Sequence, residues 1–147
     1  MLCHSIRMSK QRESDMLDEE RKTLSHVRPE KAKENLAAAH TLIAYDDCKI
    51  ASTRTYYAVF HAMRAVLALD GVDMKHHSGI ISEFRKRYMK TDIIDRKLSA
   101  IISELYDLRT DCDYDDFFII SKEEAKKSVT KAEEFVKTIE EYLNRIE

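Results

Sequence analysis

The stretch from Ser52 to Asp70, which reads STRTYYAVFHAMRAVLALD, most constrains how this chain can fold. It contains no Gly or Pro, and at about 100° per residue its apolar side chains cover most of a helix circumference. Such a helix is normally buried, so the other helices are expected to pack around it. Arg54 and His61 differ by only about 20° around its axis. The sequence therefore predicts a central helix with Arg54, Tyr57 and His61 on one face.

The small number of turn residues indicates an all-α chain. Its 147 residues include two Gly, one Pro and no Trp, and this length suffices for one domain with a proper core. We expect an up-down four-helix bundle with a short extra helix over residues 23–147, preceded by a flexible or partly helical extension over residues 1–22. The net charge of −2 gives no global signal for nucleic acid or an acidic membrane.

Apolar periodicity and capping residues predict five helices. An S-x-x-E capping box formed by Ser121 and Glu124 begins the last one. Its apolar residues recur at steps of four and three, as a helix requires. The predicted helices run from Pro29 to Ala44, from Cys48 to Asp70, from Ser78 to about Tyr88, from a cap at Thr91 or Asp92 to about Thr110, and from Ser121 to the C-terminus. Pro29 either starts the first helix or kinks one that began earlier.

Cysteine usage favours a reducing compartment. Cys3, Cys48 and Cys112 are odd in number and far apart, and there is no CxxC motif. Neither a disulfide framework nor a zinc knuckle is indicated, and we expect no metal and no cofactor. No stretch approaches the roughly 18 apolar residues of a membrane span, and the first residues contain no apolar run typical of a signal peptide. A cytoplasmic location without membrane attachment is expected.

Four ordered stretches carry a family resemblance: KAKENLAAAH in the first helix, STRTYYAVFHA in the second, MKHHSGIISEF from Met74 to Phe84, and LRTDCDYDDF from Leu108 to Phe117. Together they resemble the small stand-alone HEPN-domain proteins of bacteria and archaea, over about residues 31–143. The resemblance implies a helical bundle that usually dimerises. It also implies a metal-independent ribonuclease, often a toxin, whose antitoxin partner is a small nucleotidyltransferase of the MNT type.

Active members of that family carry an Arg and a His with four to six residues between them. Arg109 matches the Arg, but the corresponding His positions hold Tyr114, Asp115 and Asp116. Neither a carboxylate nor a phenol replaces imidazole as a two-way proton carrier without a large pKa shift. Arg54 and His61 do satisfy an Arg-x6-His spacing, but on the earlier helix, and we take them as the candidate catalytic pair. Alternatively, both are structural residues that pair with other helices.

Two further sets of residues are candidates for binding. Groove residues are predicted at Tyr57, His77, Arg109, Asp113 and Tyr114. RNA phosphates are expected to meet Arg85, Lys86, Arg87 and Lys90. The competing interpretations are an Arg109–Asp113 ion pair that fastens the loop, and a basic run that is merely a solvated helix face.

Two functions follow from these residues. The first is a toxin-like ribonuclease that acts on RNA and pairs with a nucleotidyltransferase. The second is a catalytically degenerate HEPN module that binds or dimerises without enzymatic activity. A homodimer is expected in either case, because the small-residue stripe of the central helix and the apolar face of the last helix offer more apolar surface than a monomer needs. That stripe comprises Ala51, Ala58, Ala62, Ala65 and Leu69.

Overall fold

The computed structural model describes the backbone of residues 2–146 and the side chains of residues 18–146. The described backbone contains five α-helices and no strand. The helices are α1 (Leu2–Ala44), α2 (Cys48–Leu69), α3 (His77–Phe84), α4 (Ser99–Tyr114) and α5 (Lys122–Ile146). A π-helical turn spans Arg85–Met89 and a 3₁₀ turn spans Arg96–Leu98. The predicted all-α bundle is confirmed.

Helix α2 is the centre of the bundle, as its apolar sequence predicts. It packs against α1, α4 and α5, and Tyr56, Met63 and Leu67 have no exposed surface. Contacts between α1 and α2 run antiparallel, since Arg54 bonds to Asn35 while Arg28 bonds to the carbonyl of Arg64 further along α2. The apolar positions of α5 are likewise buried, and they comprise Ala125, Val129, Ala132, Val136, Ile139 and Leu143.

Several helix boundaries differ from the sequence prediction. Helix α1 does not begin at Pro29, because it continues through that residue from Leu2. The cap predicted at Thr91 or Asp92 is wrong: Asp92 adopts a positive φ of 56°. Asp95 instead caps the 3₁₀ turn by accepting a 3.0 Å hydrogen bond from the Lys97 amide. The division into an extension and a domain stays a prediction, and the side chains of residues 1–17 lie outside the described residues.

The acidic segment predicted as a loop over residues 111–120 differs from the prediction at its start and agrees with it at its end. Helix α4 runs to Tyr114 instead of Thr110, because Arg109 and Asp113 form an ion pair one turn apart in its last turns. At the start of α5, the Glu124 amide donates a 3.1 Å hydrogen bond to Oγ of Ser121, as the capping box predicts. Gly71 has a φ of 74° and ends α2 as predicted.

The small-residue stripe of α2 is not spare surface. Its four alanines are at most 1% exposed, so it is already covered within one chain. Large apolar side chains are exposed instead near the α1–α2 turn and the α4–α5 loop. These are Tyr45, Ile50, Tyr114, Phe117 and Ile119, and we call them the end patch. A 3.3 Å ion pair between Lys122 and Asp46 holds the start of α5 beside the α1–α2 turn. The homodimer stays a prediction, and the end patch replaces the buried stripe as its expected interface.

Candidate functional site

One face of α2 stays half-exposed while most of the helix is buried. Arg54, Tyr57, His61 and Arg64 lie on this face and have intermediate exposure; we call them the α2 row. Their spacing of three, four and three residues places them above one another along the helix. Arg54, Tyr57 and His61 thus share one face of α2, as the sequence predicts.

Arg54 lies over the Tyr57 ring, with its guanidinium carbon 5.1 Å from the ring centroid. Its Nη1 donates a 3.3 Å hydrogen bond to Oδ1 of Asn35 on α1. Among the described residues it forms no ion pair with a carboxylate. Its charge is therefore available to an anion that approaches this face.

His61 is surrounded by cations. Burial lowers the pKa of its imidazole to about 4, and the charges of Arg64, Lys31, Arg28 and Arg54 lower it further in that direction. The ring is therefore neutral at pH 7. Its Nδ1 is buried and has no hydrogen-bond partner among the described residues. In the unliganded protein His61 thus does not titrate near neutrality, which an acid–base residue would need, although its intermediate exposure leaves it within reach of a ligand.

Arg64 belongs to an ion-pair cluster that sequence reasoning missed. Its Nη2 lies 2.8 Å from Oδ1 of Asp73, and Nη2 of the buried Arg28 lies 3.5 Å from the same oxygen. Arg28 also donates a 3.1 Å hydrogen bond to the Arg64 carbonyl. The hydrogen bond from Arg64 lowers the pKa of the Asp73 carboxyl. One carboxylate thus serves two guanidinium groups, and the cluster keeps an excess of positive charge.

His77 reaches the same region from the start of α3. Its ring stacks on Phe60 with centroids 4.1 Å apart and planes 7° apart, and its Nδ1 lies 2.8 Å from the Tyr56 hydroxyl. It also meets the Tyr57 ring edge-on at 5.7 Å. Burial, followed by the charges of Arg109 and Arg64, lowers the pKa of His77. The structure therefore brings the predicted groove residues Tyr57 and His77 together.

Arg109 completes this cluster from α4. Its Nε lies 2.9 Å from Oδ2 of Asp113, and its Nη2 donates a 3.5 Å hydrogen bond to the Tyr57 hydroxyl. Its guanidinium carbon is 5.6 Å from the ring centroids of both Tyr56 and Tyr57. The ion pair proposed as the structural alternative is thus present, yet Arg109 also lies against the predicted groove. Tyr114, by contrast, is 77% exposed and points away from this contact set in the end patch.

Buried side-chain nitrogens without a partner are concentrated here. Among the described residues, those atoms are Nδ1 of His61, Nε of Arg64 and Nε of Arg109. The Arg109 atom is close to Asp113, but not in hydrogen-bonding geometry. Buried polar groups normally find partners, so each exception calls for an explanation. A bound anion with several acceptor oxygens would satisfy the two guanidinium donors.

The predicted phosphate-binding run separates into two kinds of side chain. Arg85 is held by α4, since it donates to Oγ and the carbonyl of Ser99 and to Oγ of Ser103. Arg87 pairs with Glu83 at 2.8 Å. Lys86 and Lys90 are exposed and border a groove of about 550 Å³ between α3 and α4.

The described residues form neither a metal site nor a membrane-spanning helix. No three His, Cys, Asp or Glu residues stand together as a metal site would require. None of the described helices combines the length and apolar character needed to cross a membrane. The candidate site is the face of α2 that carries the α2 row, which is rich in positive charge.

The fold and this face define an all-α bundle protein with clustered arginines, histidines and aromatic rings on its central helix. The HEPN domain model matches residues 26–142, so the chain belongs to the HEPN family. The resemblance drawn from the four sequence stretches is confirmed.

Curated relatives include two proteins of one species and one of another. Two proteins of Methanocaldococcus jannaschii, each named a "putative toxin", are 34% identical to this chain. One alignment covers 78% of this chain and 78% of the relative, and the other covers 78% and 85%. A UPF0332 protein of Thermotoga maritima is 28% identical over 86% of this chain and 96% of its own length.

Proposed function

We propose that this chain is a toxin-like HEPN protein that binds RNA at the cation-rich face of α2 and cleaves it without a metal. The observation that carries the proposal is the concentration of unpartnered buried nitrogens on His61, Arg64 and Arg109. The side chains of Arg54, His61 and Arg109 contact Tyr57, and Arg64 lies over the Phe60 ring. Tyr57 and the rest of the α2 row are half-exposed, so a ligand can reach this face. Guanidinium groups bind phosphate oxygens through short, charge-assisted hydrogen bonds.

The reaction is attack of the RNA 2′-hydroxyl on the adjacent phosphorus. A bond forms between the 2′-oxygen and phosphorus, while the bond between phosphorus and the 5′-oxygen breaks. A neutral imidazole accepts the 2′-hydroxyl proton and a protonated one donates to the leaving 5′-oxygen. His61 and His77 are neutral in the unliganded protein, which suits the base. Burial lowers both pKa values most, and neighbouring cations lower them further. A bound phosphate opposes the contribution of those cations, and so favours protonation of the acid.

His61 and His77 together replace the missing late histidine in this proposal. They come from α2 and α3, and both rings contact Phe60 and Tyr57. Arg109 keeps the position of the family's Arg and reaches Tyr57 from α4. The spacing between Arg109 and a following His is then not needed, because the histidines reach the same rings from other helices.

Cleavage of a fluorogenic single-stranded RNA in excess chelator tests this function. His61→Gln and His77→Gln should each lower the rate about 10²- to 10⁴-fold, the usual contribution of general acid–base catalysis. His40→Gln is the matched control, because His40 is exposed on α1 and pairs with Glu133 at 2.9 Å. An unchanged rate in both site variants would overturn the catalytic roles.

A second candidate function is a HEPN module that binds without catalysis. The existing ion pairs favour it, since Asp73 and Asp113 already occupy Arg64 and Arg109. The lowered pKa values of both histidines also leave no protonated acid at pH 7 before a ligand binds. RNA that is retained by the parent protein and recovered uncut would support this second function.

Pairing with a nucleotidyltransferase of the MNT type, in the cytoplasm, completes the proposal. It is supported by the family membership and by relatives named as putative toxins. Co-expression with a nucleotidyltransferase encoded beside the chain, followed by size-exclusion chromatography, tests the pairing. A stable complex is expected, and separate elution of the two proteins would contradict it.

A further inference from the structure

The groove between α3 and α4 is separate from the α2 row. It has a volume of about 550 Å³, and its walls include Ile81 from α3 and Ile102 from α4. The Tyr106 side chain also borders it. An apolar groove with an aromatic side chain is suited to a flat, weakly polar group.

The rim of this groove carries two uncommitted positive charges. Lys86 and Lys90 border it and form no ion pair with the described residues, whereas Arg85 and Arg87 are held by α4 and by Glu83. The π-helical turn places Lys86 and Lys90 together on the groove side, while Arg87 turns to Glu83. Such turns recur at functional sites.

The groove begins beside the candidate site. Tyr106 contacts the Tyr56 ring edge-on at 5.7 Å, and Tyr56 bonds to His77. At the other end of the groove, Arg85 bonds to Ser99, which precedes Tyr106 in α4. Helix α3 with its π-helical turn therefore runs antiparallel to α4. Lys86 lies nine positions after His77, which is about 13 Å along a helix. A ligand that contacts both therefore spans about 13 Å, which corresponds to several steps of about 3.4 Å in a stacked strand.

We propose that this groove binds the single-stranded RNA segment that flanks the phosphate at the α2 row. Tyr106 supports a base in the apolar part, and Lys86 and Lys90 bind backbone phosphates further along. Asp107, which also borders the groove, disfavours a phosphate at the Tyr106 end and accepts a hydrogen bond from a base amino group. This inference rests on the proposed function, since it extends the same substrate beyond the candidate site.

The charges and shape favour an RNA strand over the other occupants. A second copy of this chain, with a net charge of only −2, offers far less negative charge to Lys86 and Lys90 than a phosphate backbone does. A single strand supplies unstacked bases together with phosphates, and base–aromatic stacking tolerates any sequence.

Binding of a labelled eight-nucleotide RNA with a 2′-deoxy substitution at every position but the 3′ end, in chelator, measures the groove apart from cleavage, because no 2′-hydroxyl then lies beside a phosphate. Lys86→Gln/Lys90→Gln should weaken binding and reduce the slope of log K against log salt by about 1.4, at roughly 0.7 per single-strand phosphate contact. Lys126→Gln/Lys127→Gln is the matched control, because both lysines are exposed on α5 and do not border the groove. Tyr106→Leu should weaken binding about tenfold.

The possible results separate this inference from the proposed function. Binding that weakens equally in both double variants reflects net charge and overturns the groove proposal. Binding that depends on Arg54 but not on Lys86 and Lys90 also overturns it, while the proposed function stands. If adenosine monophosphate binds as tightly as the eight-nucleotide RNA, the groove is a mononucleotide site and the proposal of an RNA strand is overturned. No binding by the folded parent overturns both proposals. Thermal melts establish that each variant is folded.

Discussion

The phenolic oxygen of Tyr56 on α2 and Nδ1 of His77 on α3 share a hydrogen bond of 2.8 Å. Burial raises the pKa of the phenol and lowers the pKa of the imidazole, so both groups are neutral at pH 7. The bond joins the core of the bundle to the loop-facing end of α3. It holds the His77 ring flat on Phe60.

Tyr56→Phe removes this bond and leaves the imidazole nitrogen without its partner. We expect the free energy of unfolding to fall by about 1–3 kcal/mol, the cost of an unsatisfied buried polar group. Urea denaturation measures the change. Tyr114→Phe is the control, because Tyr114 is 77% exposed. Equal stability of the Tyr56 variant and the parent would show that the bond contributes nothing.

His61 makes stability depend on pH in a defined direction. Its folded pKa of about 4 lies below its ordinary value of 6.5, so the unfolded chain binds the proton more readily. The contribution of His61 is therefore complete above pH 6.5 and is lost as the pH falls towards 4. The loss is at most about 3 kcal/mol, at about 1.4 kcal/mol per pKa unit.

Urea denaturation at pH 7 and pH 5 measures this effect. His61→Gln should reduce the difference between the free energies of unfolding at pH 7 and pH 5. Part of the difference should remain in this variant, because the pKa of His77 is also lowered. A parallel NMR titration should find the His61 ring neutral down to about pH 5. A midpoint near 6.5 for that ring would contradict the cation-rich environment described for it.

Arg109→Ala should destabilise the last turns of α4. Its side chain is only 18% exposed and its partner Asp113 also accepts a 3.0 Å hydrogen bond from Thr53. The loss should be about 1–3 kcal/mol, between the values for exposed and fully buried pairs. Lys127→Ala, which breaks an exposed pair with Glu123 on α5, should change the thermal melt very little. A melt for Arg109→Ala that matches the parent would mean that the guanidinium is free for a ligand.

The end patch predicts where a homodimer would form. Phe117 and Ile119 are 92% and 87% exposed, and exposed apolar clusters often mark interaction surfaces. Sedimentation at tens of micromolar, a range in which a modest interface is populated, should find a dimer for the parent. Phe117→Ser/Ile119→Ser should sediment as a monomer. If the parent protein sediments as a monomer, the prediction of a homodimer is wrong.

Local sequence determined most of the architecture. The central position of α2 follows from its apolar circumference, and the buried face of α5 follows from apolar residues at steps of four and three. The Ser121 cap was equally predictable, because each of these features depends on residues within one helix. The shared face of Arg54, Tyr57 and His61 belongs to the same class, since one helical period sets it.

Tertiary structure alone decided which charges are free. Arg28 bonds to Arg64 across 36 positions, and Arg109 reaches Tyr57 across 52. No helical period relates such residues, so their pairing depends on how the helices pack. Packing likewise separates Lys86 and Lys90 from Arg85 and Arg87 within one basic run. The lowered pKa of His61 arises partly in the same way, because its burial and two of its four neighbouring cations, Arg28 and Lys31, come from the packing of α1 against α2.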